Sequence, residues 1–105
     1  MKVLAFGTFD ILHPGHISYL KQAKKYGDSL VVVVARDETV KKVKGKYPRN
    51  DESERLDAIE GLDFVDRVRL GNLKDPYGVI KEEKPDIVCL GYDHYQTITI
   101  LFCLL

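Results

Sequence analysis

The sequence has little excess charge and few cysteines, and each shortage excludes a class of protein. Its 105 residues carry 16 basic and 16 acidic side chains, so the formal net charge is zero. This balance argues against broad electrostatic binding to nucleic acid or to an anionic membrane, but it leaves room for a small local anion site. The two cysteines, Cys89 and Cys103, form no CxxC pair or zinc pattern. We therefore expect reduced thiols in a cytoplasmic protein.

Long apolar segments are also lacking. The longest run, residues 100–105, is far shorter than the roughly 20 residues that cross a bilayer. Residues 1–6 are apolar apart from Lys2, but the segment is short and Gly7 follows it directly, so no signal peptide is expected. The length of the chain fits one domain with a modest core. We therefore expect residues 1–105 to form a single domain that does not enter a membrane.

Short apolar runs alternate with segments of helical periodicity. Residues 30–35, Leu-Val-Val-Val-Val-Ala, are typical of a parallel strand that is buried on both faces. Ile17, Leu20 and Ala23 recur at helical spacing. Pro14, just before them, suits the first turn of a helix. The predicted strands are 2–6, 30–35, 64–70 and 86–90. The first predicted helix begins at residue 14, and the other three cover residues 36–44, 51–62 and 76–84.

The order of these elements predicts an α/β fold. Strands that alternate with helices form a parallel sheet with helices on both faces, a Rossmann-like three-layer α/β/α arrangement. Ligands of such sheets bind at the carboxyl ends of the strands. The loops that follow Phe6, Ala35, Leu70 and Leu90 should therefore form one rim.

Residues 7–16, Gly-Thr-Phe-Asp-Ile-Leu-His-Pro-Gly-His, are the most informative segment. Thr8 and Phe9 would present backbone N–H groups at the rim, and the following helix would point its N-terminus there, which suits a phosphate. Gly15 has no side chain, so a ligand can approach its backbone closely. His13 and His16 are three residues apart, and two imidazoles on one face could stabilise charge that develops during group transfer.

This segment resembles the GTFDxxHxGH signature of the cytidylyltransferase-like nucleotidyltransferases at every one of its ten positions. The resemblance implies an HxGH-type enzyme that joins a nucleoside monophosphate from ATP or CTP to a small phosphorylated acceptor. It implies that His13 and His16 are catalytic. Asp10 would organise the loop or, as an alternative, assist a Mg²⁺ ion through water. The implied nucleotide-binding residues in this segment are Thr8, Phe9, His13, Pro14, Gly15 and His16.

Two further segments are similar to the family. Residues 91–93, Gly-Tyr-Asp, resemble the G-x-D element that contacts the ribose or base, which makes Asp93 a nucleotide-binding candidate. An ordinary turn would also explain this Gly and Asp. Lys44, Lys46 and Arg55 resemble the basic loop and helix start that hold phosphates. A solvated charged face is the alternative for the lysines, whereas a guanidinium can bind phosphate through two hydrogen bonds.

The identity of the acceptor depends on resemblance alone. Residues 35–40, Ala-Arg-Asp-Glu-Thr-Val, and then Lys-x-x-Lys-Gly-Lys look most like the archaeal-type FAD synthases, which use ATP to adenylylate FMN. This implies ATP and FMN as substrates, Mg²⁺ or another divalent cation with the nucleotide, and a homodimer. A CTP-dependent glycerol-3-phosphate cytidylyltransferase is the alternative enzyme. A truncated, non-catalytic nucleotide-binding module is the alternative of another class.

The resemblance covers residues 1 to about 95. Members of the family normally continue through another helix, a fifth strand and an Ile-Ser-Thr-Thr helix start that holds the triphosphate. The chain has instead an uncharged apolar tail over residues 97–105. Exposed apolar segments bury themselves or associate, so we expect the tail to pack on its own sheet or in a dimer.

Overall fold

The computed structural model of the chain describes residues 1–10, 12, 14–72, 78–91 and 98–102. Strands and helices alternate through the first four parallel strands, as predicted. In chain order the elements are β1 (Lys2–Gly7), α1 (Pro14–Lys24), β2 (Ser29–Val34), α2 (Asp37–Lys44), α3 (Glu52–Glu60), β3 (Arg67–Leu70), α4 (Gly78–Glu83), β4 (Ile87–Gly91) and β5 (Ile98–Phe102).

The strands form one sheet in the order β3-β2-β1-β4-β5 over the described residues. β1 pairs in parallel with both β2 and β4, so that Val3 lies opposite Leu30 on one side and Ile87 on the other. β3 extends the parallel sheet beyond β2. The chain thus runs outward from β1 in one direction and then returns to the other side of β1, which creates a topological switch point between β1 and β4.

Helices cover both faces of the sheet, which explains why the valine run of β2 is apolar throughout. Residues 30–34 are at most 2% exposed, because alternate side chains enter two different cores. One core contains side chains from α1 and α3, and the other contains Val79 of α4. The α/β architecture predicted from the sequence is confirmed.

Most boundaries lie within one or two residues of the prediction, and two elements show why some differ. The strand predicted over residues 64–70 begins at Arg67, because Val65 N–H donates to the carbonyl of Leu62 in a turn. Phe64 and Val65 still pack against the core. Their apolar side chains therefore indicated burial and not pairing with a neighbouring strand. The helix predicted over 51–62 is shorter, and it begins after Asp51, whose side chain forms a capping box with Glu54.

The apolar tail contributes a strand. β5 runs antiparallel to β4, with Phe102 opposite Ile87 and Ile98 opposite Gly91. The tail was expected to pack either on its own sheet or in a dimer, and in the structure β5 packs on its own sheet. The sequence predicted a purely parallel sheet. The sheet instead carries an antiparallel edge strand, which is common in α/β folds. Among the described residues, no helix is long and apolar enough to span a membrane.

Candidate functional site

The carboxyl ends of β1, β2 and β3 meet at one rim, as predicted. Ala35 N–H donates to the carbonyl of Gly7, and Gly71 N–H donates to the carbonyl of Val34, so pairing continues to the last residue of each strand. The loops that begin there are consequently neighbours. The segment 7–16 leaves β1 at the centre of this rim, next to the switch point.

Phe9 shapes the turn out of β1. Its backbone is left-handed, with a φ of 52°, and its side chain is only 3% exposed. The ring folds back over Gly7, where any Cβ atom would collide with it. Since the ring belongs to the core, it is not available to a ligand at the rim.

The same ring supports the predicted catalytic histidine. The rings of His16 and Phe9 form a T-shaped pair, with centroids 5.5 Å apart and an interplanar angle of 81°. On the core side, Phe9 stacks on Tyr19, with centroids 6.3 Å apart. These contacts limit the orientations that His16 can adopt at the third position of α1.

Tyr19 joins the two strands at the switch point, and the sequence reading missed it. Its hydroxyl lies 3.0 Å from the carbonyl oxygens of both Phe6 and Cys89, which belong to β1 and β4. Burial raises the pKa of Tyr19 far above its ordinary value, so the hydroxyl stays protonated as a donor. Tyr19 follows His16 by three residues, so the two side chains lie on the same side of α1. On an apolar helix face, this spacing by itself predicts only a core residue.

The start of α1 has the features of an anion site. Pro14 and Gly15 occupy its first two positions, and its first turn has no acidic residue to oppose an anion. Gly15 is buried and Pro14 is exposed. The other residues predicted to bind the nucleotide, His13 and Asp93, lie outside the described residues.

Asp10 connects the segment 7–16 to the loop before α3. Its two carboxylate oxygens accept the backbone N–H groups of Arg49 and Asn50, each at 2.8 Å, and the Asn50 amide donates back to the Asp10 carbonyl. Burial acts to raise the pKa of Asp10, but these donors and the nearby Arg55 outweigh it and lower the pKa. The structure therefore favours the loop-organising role for Asp10.

Arg55 differs from its prediction as a phosphate ligand. Its side chain is fully buried, and its guanidinium donates to the carbonyl of Asn50 at 3.0 Å, to the carbonyl of Thr8 at 2.9 Å and to a carboxylate oxygen of Asp37 at 2.7 Å. All three guanidinium nitrogens thus serve protein acceptors. In this arrangement Arg55 holds the backbone of Thr8 in place instead of contacting a phosphate directly.

A second group of contacts, also missed in the sequence, fastens the adjacent loops. The guanidinium of Arg36 donates to the carbonyl of Gly71 at 2.7 Å and to the carboxylate of Glu52 at 3.0 Å. The other oxygen of Glu52 accepts the backbone N–H of Asp37 at 3.0 Å. Glu52 therefore links the starts of α2 and α3, while Arg36 extends the connection to the loop after β3.

Lys44 and Lys46 are exposed at the end of α2 and in the loop after it. Gly45 lies between them as the helix cap, with a left-handed φ of 83°. Lys41 donates to the carbonyl of Gly45 at 3.1 Å, so it supports this loop. Contact of Lys44 and Lys46 with a phosphate remains a prediction.

The described residues contain no group of three or more His, Cys, Asp or Glu side chains that could hold a metal ion. Mg²⁺ commonly keeps several waters and is bound through substrate phosphates with one or two carboxylates.

Comparison with known families agrees with this geometry. The Cytidylyltransferase-like family matches residues 4–101. The chain belongs to this family. Among curated relatives, a protein named FAD synthase from Thermoplasma volcanium is 55% identical over 93 residues, and one from Aciduliprofundum boonei is 50% identical over 93 residues. The matches cover 89% of this chain but only 65% and 62% of those relatives.

A solved structure of the family has the same fold. It is described as a lipopolysaccharide core biosynthesis protein from Thermoplasma volcanium, and it superposes with a TM-score of 0.82 at 54% identity. The superposition covers 90% of this chain and 76% of the solved chain. The family resemblance inferred from residues 7–16 is thus confirmed.

Proposed function

We propose that this chain is the nucleotide-binding part of an FMN adenylyltransferase, which transfers AMP from ATP to FMN and releases pyrophosphate. The observation that carries the proposal is the complete GTFDxxHxGH segment at the carboxyl end of β1, beside the switch point and leading into the N-terminus of α1. Relatives named FAD synthase at 50–55% identity support FMN as the acceptor. The chain spans less than two thirds of their length, 65% and 62%, so the activity of the whole protein is a proposal.

The rim can orient a triphosphate without covalent chemistry. The phosphates would lie over the backbone of Thr8 and Phe9 and over the start of α1 at Pro14 and Gly15, where helix N–H groups favour negative charge. His16, supported by the ring of Phe9, would donate to an oxygen on which charge develops.

The reaction is an in-line displacement at the α-phosphorus of ATP. An oxygen of the FMN phosphate forms a new bond to the α-phosphorus, while the bond from that atom to the bridging oxygen of the β-phosphate breaks. Pyrophosphate leaves with the electron pair. Positioning and electrostatic stabilisation supply most of the rate in such transfers. A divalent cation on the triphosphate would neutralise part of its charge.

The remaining assignments complete the proposal. His13 would act with His16, and Asp93 would contact the ribose or base. Lys44 and Lys46 would attract the phosphate of the acceptor, since both are exposed cations. A homodimer in the cytoplasm is the proposed form of the protein.

Pyrophosphate release from the purified 105-residue chain tests the function. ATP and CTP are each combined with FMN and with glycerol-3-phosphate in the presence of Mg²⁺, and His16→Ala is the control variant. Pyrophosphate release that occurs only in the combination of ATP with FMN supports the proposal. Release only with CTP and glycerol-3-phosphate would replace it with the cytidylyltransferase. Nucleotide binding without pyrophosphate release in any combination would indicate a non-catalytic binding module.

A further inference from the structure

Tyr47 is an exposed aromatic residue on the rim side of the molecule. In the described part of the chain, the large apolar side chains that remain exposed are Met1, Tyr26 and Tyr47, and Tyr47 is 55% exposed. Tyr26 lies just before β2, at the amino ends of the strands, where Asp28 N–H donates to the carbonyl of Met1. Tyr47 lies instead in the loop that returns from α2 to the rim.

The ring of Tyr47 has two contacts that favour one orientation, although it is exposed. Its hydroxyl donates to a carboxylate oxygen of Glu38 at 2.9 Å, in the first turn of α2. The ammonium of Lys41 lies 5.6 Å from the ring centroid and also donates to the carbonyl of Gly45. A ring ordered in advance loses little conformational entropy when a ligand stacks on it.

The loop that carries Tyr47 connects to the segment 7–16, and so does the region of α2 around Glu38. On one side, the backbone N–H of Arg49, two residues further along, donates to the carboxylate of Asp10. On the other side, Glu38 is next to Asp37, which binds the guanidinium that holds Thr8. The orientation of the ring is therefore coupled to the backbone that would hold the nucleotide.

Cations accompany this ring in the sequence and in the fold. Lys44 and Lys46 precede it, and both are exposed. A flat aromatic surface beside ammonium groups suits a ligand that combines a planar ring system with a phosphate. FMN has this chemistry, whereas glycerol-3-phosphate has no ring.

We propose that Tyr47 is an acceptor-binding residue that stacks against the planar ring system of the substrate and so selects a flat aromatic acceptor. This inference rests on the proposed function and names the residue that separates the flavin acceptor from an aliphatic one. Aromatic stacking on a nucleobase-like ring changes affinity by about tenfold or more when the aromatic side chain is removed.

The test compares Tyr47→Ala, Tyr47→Phe and Tyr26→Ala. Tyr47→Ala is expected to raise the KM for FMN about tenfold or more, with little change in the KM for ATP. Tyr47→Phe keeps the ring but loses the bond to Glu38, so its KM for FMN should lie closer to wild type than that of Tyr47→Ala. Tyr26→Ala controls for the loss of an exposed tyrosine elsewhere. A titration of FMN fluorescence, without ATP, measures the same loss of affinity independently of turnover.

Each outcome decides between the two proposals. If the wild-type chain forms FAD but Tyr47→Ala keeps the KM and the affinity for FMN, the stacking role is wrong and the function stands. If Tyr47→Phe is as defective as Tyr47→Ala, the bond to Glu38 matters and the ring does not, which also overturns stacking. If the wild-type chain neither binds FMN nor forms FAD, both proposals fail.

Discussion

The guanidinium of Arg55 donates a 2.9 Å hydrogen bond to the carbonyl oxygen of Thr8, although the two residues are 47 positions apart. The backbone that is proposed to meet the phosphates is thus held by a side chain from α3. The same guanidinium binds Asp37, the first residue of α2. One buried cation therefore joins three parts of the rim, and changes to it should affect the stability of the whole site.

Arg55→Ala is expected to lower the free energy of unfolding by about 3 kcal/mol, because it leaves the Asp37 carboxylate and two carbonyls without a buried partner. Arg55→Lys should recover only part of this loss, since an ammonium cannot reproduce the planar set of donors. Urea unfolding measures both values. Arg49→Ala is the control, because the Arg49 side chain is exposed and its hydrogen bond to Asp10 comes from the backbone, which the variant keeps. Equal stability of the Arg55→Ala and Arg49→Ala variants would contradict the buried role.

His16→Ala should lower kcat for pyrophosphate release by about 10²–10³-fold, the usual cost of losing one preorganised donor. Stability should change little, since the imidazole is only partly buried. Gln22→Ala, on the exposed side of the same helix, is the matched control. A decrease in kcat of less than about threefold would not be compatible with a catalytic role.

Gly7→Ala should displace the ring of Phe9, because the added Cβ atom would occupy its place. We expect a loss of about 1–3 kcal/mol, typical of overpacking, together with a higher KM for the nucleotide. The smaller side chain in Phe9→Leu should relieve the collision, so the double variant should be more stable than the sum of the single changes predicts. A double-mutant cycle in urea measures this coupling, and strictly additive losses would show that the two residues do not compete for space.

Glu83 should make the free energy of unfolding depend on pH in the acidic range. Its side chain is 6% exposed and contacts Lys2, Arg67 and Arg69. Burial acts to raise the pKa of Glu83, but the hydrogen bonds from Lys2 and Arg69 and the charge of Arg67 outweigh it and lower the pKa from 4.5 to about 2. A lowered pKa stabilises the folded chain above pH 4.5, and this contribution is lost as the pH falls toward 2.

Glu83→Gln tests this dependence by urea unfolding between pH 2 and pH 7. At neutral pH the variant should be less stable than wild type by roughly 3 kcal/mol, and the difference should shrink as the pH falls through this range. Glu82→Gln is the control, because Glu82 is half exposed and contacts Arg69 alone among the described cations. A difference between Glu83→Gln and wild type that is constant with pH would exclude the titration of Glu83 as its source.

Local signals were sufficient for much of the fold. The valine run predicted β2 because a strand buried on both faces leaves no position for a polar side chain. The spacing of Ile17, Leu20 and Ala23 predicted α1, which begins at Pro14 as expected. The same signals failed at Phe64 and Val65, since burial against the core does not require pairing with a neighbouring strand.

The sequence by itself determined the family, the alternation of parallel strands with helices and the segment that leads from β1 into α1, because these depend on neighbouring residues. Only the tertiary structure decided how that segment is supported. Arg55 was expected at a phosphate, but it lies in the interior because Thr8, Asn50 and Asp37 supply acceptors there. Tyr19 joins β1 to β4 for the same reason. A side chain bonds to whichever partner the packing brings near it, and that partner can be 47 residues away in the chain.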